Sequence, residues 1–405
     1  MKRRDLLKYF SLGPLTGAAI SAVPFKSAIA APSNKPKRDM VKELGLRTFI
    51  NAAGTYTFMT ASLMPDEVME AINSSSKEFI MYDEVQDKAG EKIAALCHAE
   101  AAMVTAGCWS ALVLGTAGVL TGMDLEKVAQ LPNVDSFEKN EVIVQKGHNH
   151  DYIHALTNTG IKPVVVETMD DLEKAINAKT ALMYFLNEST PHGKILHKEW
   201  LEVAKKHNIP TIIDIAADIP PVENLWKYSE MGFDLICVSG GKAIRGPQSA
   251  GLLYGKKDLV AAARLSAPPR GGNIGRGMKV NKEEILGMYA ALDRYVKQDH
   301  EKEWKEWEEK IAIIENAAKK VKGVTTEVTV PPIANHTPAL KISWDTSVVK
   351  TTPKDLQARL REGNPSIEVM SFADNTINIT VFMLKPGQEK IVATRINEEL
   401  TKASA

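Results

Sequence analysis

Seven short apolar runs, separated by stretches with helical periodicity, constrain this 405-residue chain more than any other feature. They fall at 102–105, 141–145, 163–167, 181–186, 211–215, 235–239 and 250–254. Several are rich in Val and Ile and bounded by Gly, Asn, Asp or Pro. Short continuous apolar runs of this kind suit strands buried on both faces. Amphipathic segments at 170–178 and 198–207 lie between them. Strands alternating with helices predict an α/β layered domain built on a mostly parallel, seven-stranded sheet. Ligands in such sheets sit beyond the carboxyl ends of the strands, so the residues just after each run become the candidates for chemistry.

The rest of the chain sorts around this unit. Residues 61–280 form the expected large domain, and a helical region at 281–322, dense in Glu, Lys and Trp, leads away from it. Residues 323–405 read as a smaller α+β domain, with strands at 325–330, 339–343 and 376–381 and helices at 353–362 and 385–402. Residues 31–60 make an N-terminal arm, polar and rich in Pro and Lys as far as residue 46.

The first thirty residues have another character. Lys2-Arg3-Arg4 precedes a mildly apolar stretch at 9–25, which Gly13, Pro14, Gly17 and Pro24 interrupt. Ala28-Ile29-Ala30 has the small-residue pattern of a signal-peptidase site. The paired arginines predict a Tat-type signal peptide and export of the folded protein to the periplasm. An ordinary Sec signal and an uncleaved anchor are the alternatives.

Fifty Lys and Arg residues balance fifty Asp and Glu residues, so the net charge offers no general case for a nucleic-acid partner. Cys97, Cys108 and Cys237 are too few and odd in number for a disulfide framework and lack zinc spacing; they read as core residues.

The strand ends carry the chemistry. The run at 235–239 closes on Ser239, and Lys242 follows in a turn containing Gly240, Gly241 and Gly246-Pro247. Gly240 and Gly241 would let the backbone approach a ligand closely. A lysine in such a crowded turn can lose its charge, as an imine-forming amine must. Asp214 lies in the run at 211–215. A carboxylate at the end of an apolar strand is costly without a cationic partner, and a protonated pyridine nitrogen, an arginine or a helix start could serve.

Upstream, Gly107 turns a strand into a helix, where backbone N–H groups with the Thr105 and Ser110 hydroxyls nearby would make an anion site. His148 could stack on an aromatic cofactor; His148, His150 and His154 could instead hold a metal, though no carboxylate-rich signature accompanies them. Asn187 follows the run at 181–186, where its amide could meet a phenolic oxygen.

In this order the parts resemble the fold type I pyridoxal-phosphate (PLP) superfamily, and within it the selenocysteine synthases together with related ammonia lyases of amino sugar acids. The likeness covers roughly residues 48–300 well and the small domain loosely. The segment from Phe49 to Gly54, containing Asn51, is similar to the family's opening Asn-x-x-Gly, and 239–251 resembles its lysine loop. The resemblance implies that Lys242 forms the internal aldimine with PLP and that Asp214 holds the ring nitrogen. His148 would stack on the ring, Gly107, Cys108 and Ser239 would face the phosphate, and Asn187 would meet O3′. It also implies a homodimer or higher homo-oligomer. Arg270 and Arg276, with Lys279 and Lys282 beside them, and Asn51 are the candidates for substrate contacts. The late arginine of the selenium transferases has no counterpart in 378–384, and charge balance and an export signal both argue against a tRNA substrate.

The expected activity is therefore a PLP-dependent α,β-elimination that releases ammonia from an amino acid or amino sugar acid, with Lys242 as the base. Transamination and racemisation begin from the same α-carbon chemistry and stay open as alternatives. A periplasmic binding protein on the same fold and a histidine-based metal hydrolase are the readings from other classes.

Overall fold

In the computed structural model, which describes residues 38–404, the seven runs become seven strands displaced by no more than about one residue. They are β1 (Ala101–Thr105), β2 (Glu141–Gln145), β3 (Lys162–Val166), β4 (Thr180–Leu186), β5 (Thr211–Asp214), β6 (Leu235–Ser239) and β7 (Gly251–Gly255). They make one sheet in the order β1-β7-β6-β5-β4-β2-β3. β7 runs antiparallel to both its neighbours, and the other pairings are parallel.

Because successive side chains point to opposite faces, each strand feeds two cores at once. Val104, Phe185, Ile213 and Ile236 join one apolar cluster, and Met103, Tyr184, Ile212 and Leu235 the other. Every residue of β4 is buried, as a strand covered on both faces requires. Helix α1 (Gly107–Thr121) lies in the second cluster and is apolar around nearly its whole circumference. Its Gly115 sits against Ile212, Leu235 and Leu253, so a side chain there would lift the helix off the sheet. Helix α2 (Lys257–Leu265) packs outside α1.

Residues 281–322 form α3 (Lys282–Lys297) and α4 (His300–Ala318). The buried face of α3, with Ile285, Met288 and Leu292, belongs to the first sheet cluster. Trp307, Ile311 and Ile314 of α4 belong to a third cluster, in the C-terminal part. There β8 (Val324–Thr329), β9 (Ala339–Trp344) and β10 (Thr376–Thr380) form an antiparallel sheet with β9 in the middle. Leu340, Ile342 and Trp344 alternate inward along β9. Helices α5 (Pro353–Glu362) and α6 (Gln388–Ala403) complete this core.

Ile50–Asn51 pairs in parallel with Ile367–Glu368, and Ile50 and Ala52 are buried in the third cluster. The stretch expected as part of an arm thus contributes to the C-terminal core. Residues Thr48–Ala405 form one compact unit. Before it, the described residues include a short helix, Met40–Glu43, capped by Asp39. The expected signal peptide at 1–30 lies outside the described residues. Among those described, no helix is long and apolar enough to cross a membrane.

Candidate active site

The carboxyl ends of β1, β4, β5 and β6 converge on a cavity of about 230 Å³. Its wall includes Gly107, Cys108, Asp214, Ser239 and Lys242, which the sequence places up to 135 positions apart. A second cavity of about 510 Å³ shares Thr57, Tyr152, Glu188, Ala217 and Lys242 with the first. It continues past the turn at Gly54 to Asn335, Thr337, Asn378 and Thr380 of the C-terminal part. Lys242 is the only cationic side chain lining either space among the described residues.

Asp214 is 3 % exposed. Its Oδ1 accepts the Ala216 N–H at 2.9 Å and lies 3.5 Å from the Cys108 thiol. Its Oδ2 has no hydrogen-bond partner among the described residues and remains available to a ligand. Burial pushes the carboxyl up to about 6, while the Ala216 N–H and the charge of Lys242 pull the other way. A cationic ring nitrogen at Oδ2 would supply the counter-charge this buried group lacks.

At the other end, α1 opens on Gly107, whose φ of +81° suits glycine. Gly251 at the start of β7 lies against this turn; a Cβ there would stand 2.4 Å from the Gly107 carbonyl carbon. The first N–H groups of α1 therefore form a compact donor set beside Ser239. The hydroxyls of Thr105 and Ser110 are turned elsewhere, donating to the carbonyls of Gly107 and Ala106 at 2.9 and 2.8 Å. Backbone groups, and not these hydroxyls, are the donors an anion would meet first.

Several expected site residues are placed differently. His148 is completely buried; its Nδ1 accepts the Leu186 N–H at 3.3 Å and its ring meets the edge of Phe185. It does not line the Lys242 cavity; Tyr152, four residues on, and Trp109 are the aromatic side chains there. Burial holds His148 down to about 4, so it stays neutral. Asn187 is also withdrawn, because its amide is occupied by His197, Asp218 and Tyr228.

Asn51 folds back on its own turn, accepting the N–H groups of Ala53 and Gly54 and donating to the Gly54 carbonyl, so it shapes the pocket wall without facing substrate. Arg270 reaches Asp83 at 3.4 Å in a separate cavity, and Arg276 is exposed; neither meets Lys242 of its own chain. Gly240 and Gly241 have packing duties, since a Cβ would fall 2.2 Å from Met288 Sδ at the first and 2.5 Å from Gln248 Cα at the second. His150 bonds Ser189 at 2.7 Å, and no group of three or more His, Cys, Asp or Glu suited to a metal ion occurs among the described residues.

Tyr152, Glu188 and Asp218 are the site residues that sequence reading missed. Glu188 and Asp218 each follow a strand end by a few positions, which was the one available signal.

An amine and a buried carboxylate sharing a cavity with a helix N-terminus, at the carboxyl edge of this sheet, fit pyridoxal phosphate. The fold is that of the fold type I PLP-dependent enzymes, and the site has the parts that cofactor needs. Residues 156–328 match the aminotransferase class-V family. The chain is 27% identical over 376 residues to D-glucosaminate-6-phosphate ammonia lyase of Salmonella typhimurium, covering 89% of this chain and 97% of that protein. It is 24% identical to 5'-C-glycyluridine monooxygenase-decarboxylase of a Streptomyces species, covering 89% and 91%. L-seryl-tRNA(Sec) selenium transferase of Mannheimia succiniciproducens is 28% identical over 163 residues, 36% of this chain and 34% of that one. The solved structure of a D-glucosaminate-6-phosphate ammonia-lyase superposes with a TM-score of 0.79 at 24% identity, over 91% of this chain and all of the other.

Proposed function

We propose that this protein is a PLP-dependent carbon–nitrogen lyase that releases ammonia by α,β-elimination from a hydroxylated amino acid of the amino sugar acid class. The observation that carries the reading is the shared cavity of Lys242 and Asp214, opening into a larger space lined by hydroxyl and amide side chains. The similarity to an ammonia lyase over nearly its full length supports it.

When bound, PLP supplies an electron sink for the bonds around the substrate's α-carbon. Lys242 Nζ is the amine that holds the cofactor and, once released, carries the α-proton. Asp214 Oδ2 keeps the ring nitrogen protonated, and the start of α1 with Ser239 holds the phosphate. Tyr152 and Trp109 are the aromatic side chains of the wall against which the ring would lie. The proton that Lys242 has taken then goes to the β-hydroxyl, which leaves as water, and Glu188, in the wall common to both cavities, orients that hydroxyl. The product then hydrolyses in solution to a 2-oxo acid and ammonia.

Among the described residues neither cavity is lined by an arginine, the commonest partner of a substrate carboxylate. The protein works as a homodimer in which the exposed Arg276 of one copy reaches the other copy's pocket. Mixing Lys242→Ala with Arg276→Ala subunits should then restore activity that neither variant has alone. Export by the Tat route fits a protein that loads its cofactor before crossing the membrane, and replacing Arg3 and Arg4 with lysine should keep it in the cytoplasm.

The direct test is a screen of D- and L-amino acids and amino sugar acids for release of 2-oxo acid and ammonia in equal amounts. Exchange of the α-proton without ammonia release indicates a racemase. Ammonia-free conversion that requires a 2-oxo acid acceptor indicates an aminotransferase.

A further inference from the structure

We propose that Asp218 donates a hydrogen bond to the phenolic oxygen of bound PLP, held in place by the cluster of Asn187, His197 and Tyr228 behind it. The inference rests on the cofactor reading above and assigns a role to a residue that reading does not use.

The Asn187 amide is enclosed by hydrogen-bond partners on both sides. Its Oδ1 faces His197 Nε2 at 2.6 Å and the Thr190 hydroxyl at 3.4 Å, so its Nδ2 is the donor. That donor reaches Asp218 Oδ2 at 2.8 Å and the Tyr228 hydroxyl at 2.7 Å. Asp218 is 2 % exposed, and its other oxygen, Oδ1, is buried without a partner. The backbone carbonyl of Asp218 accepts the Asn224 amide at 2.6 Å, which pins the residue from its own side.

A buried carboxyl with one amide donor and no cation bonded to it keeps its proton. Asp214 and Glu188 face it across the pocket and add to that preference, while Lys242 opposes it; together with burial, which is the largest influence, they push Asp218 up to about 7. Behind it, burial holds His197 down to about 4, so this neighbour is a neutral imidazole, and Tyr228 stays a phenol. Since Oδ2 is occupied by the Asn187 donor, the proton resides on Oδ1. Among the described residues nothing accepts that proton.

Asp218 is part of the wall of the cavity that holds Lys242 and Asp214. A PLP ring fixed through its aldehyde carbon at Lys242 and its nitrogen at Asp214 has its phenolic oxygen on the carbon next to the one bearing the aldehyde. Asp218 is the buried, unpartnered proton donor in that wall. Asn187, expected from sequence to meet this oxygen, acts one step further back by aiming Asp218. Sharing a proton with the phenolic oxygen draws off its negative charge and makes it a weaker base.

The test compares Asp218→Asn and Asp218→Ala with the wild-type protein, each stripped of cofactor and reloaded with pyridoxal phosphate. Asparagine keeps a donor at this position and alanine removes it. Asp218→Ala should weaken cofactor binding about tenfold or more, the usual result of losing a hydrogen bond to a charged group. The pH midpoint of the loaded protein's visible absorbance change should rise by about one unit. Asp218→Asn should stay within about threefold of wild type in affinity and keep its midpoint. A folded Asp218→Ala protein with both quantities unchanged overturns the proposal.

Should Asp218→Ala not fold, infrared difference spectra of wild type minus Asp218→Asn near pH 6 decide the matter. They should show a protonated carboxyl band that shifts when pyridoxal phosphate is added, and a missing or unmoved band overturns the proposal. Wild-type protein that takes up no pyridoxal phosphate overturns the cofactor reading first and this inference with it.

Discussion

The thiol of Cys108 lies 3.5 Å from Oδ1 of Asp214, the same oxygen that takes the N–H of Ala216 at 2.9 Å. Two donors on one oxygen leave the other free and fix the plane of the carboxylate. Asp214→Asn keeps the shape and removes the charge. A charge contact of up to about 4 kcal/mol at an effective dielectric near 20 corresponds to a fall of about a thousandfold in kcat/KM. A fall of less than about tenfold in steady-state 2-oxo acid production would show that the ring nitrogen sits elsewhere.

Lys242→Ala should abolish both turnover and the pyridoxyl mass that borohydride reduction fixes to the wild-type chain, with a rate loss of about a thousandfold or more. Peptide mapping after reduction should place the wild-type adduct at residue 242. An adduct on another lysine would move the site.

Tyr152 and His148 should separate cleanly. Tyr152→Ala removes a ring from the cavity wall and should weaken cofactor binding by roughly threefold to tenfold, the range of an aromatic contact, with the Tm of cofactor-free protein nearly unchanged. His148→Ala empties a fully buried site beside Phe185 and should cost about 2 kcal/mol or more in stability of that same cofactor-free protein. Thermal melts and cofactor titrations of both variants check the contrast.

Gly251→Ala places a methyl group 2.4 Å from the Gly107 carbonyl carbon and 2.6 Å from the Cys108 nitrogen. The start of α1 must shift, so phosphate affinity should fall together with stability, by about 2 kcal/mol in the latter. Inorganic phosphate protection against pyridoxal phosphate uptake measures the former. Unchanged phosphate competition would detach the anion site from this helix.

The pH dependence of stability carries a signed expectation. Burial raises Asp218 from the ordinary range near 4 to about 7, so between these values the folded protein keeps a proton that the unfolded chain has lost. Stability from this group therefore falls as pH rises through that window. His148 and His197, both lowered to about 4, act in the opposite sense below about pH 6.5, equally in wild type and variant. The Tm of cofactor-free Asp218→Asn minus that of wild type should grow more positive from about pH 4.5 to about pH 7.5. A difference that stays flat with pH shows an ordinary carboxyl.

The sheet was legible because buried parallel strands have a sequence signature that needs no knowledge of their neighbours: β2 and β6 match their apolar runs end to end. Lys242, Asp214, Ser239 and Gly107 were legible because such a sheet gathers chemistry at its strand ends. The failures lie among polar residues whose roles depend on a partner. Asn51 and Asn187 sit where the pattern places a ligand contact, yet both amides are consumed by groups a few residues or a whole element away. His148 is the last residue of a short 3-10 turn after β2, and the choice between it and Tyr152 depends on which way that turn winds. Asp218 is four residues past Asp214, and only its burial beside Asn187 distinguishes it from a surface acid.

The parallel pairing of Ile50–Asn51 with Ile367–Glu368 joins segments more than 300 residues apart. The Gly54 turn that lines the larger cavity hangs from the first of these. On a ribosome, the parallel sheet and its lysine loop can be synthesised and begin to collapse while this pairing still has no second strand. The chamber therefore stays open on one side until residues 367 and 368 have emerged, and truncation anywhere before residue 367 should leave a protein that cannot enclose its substrate.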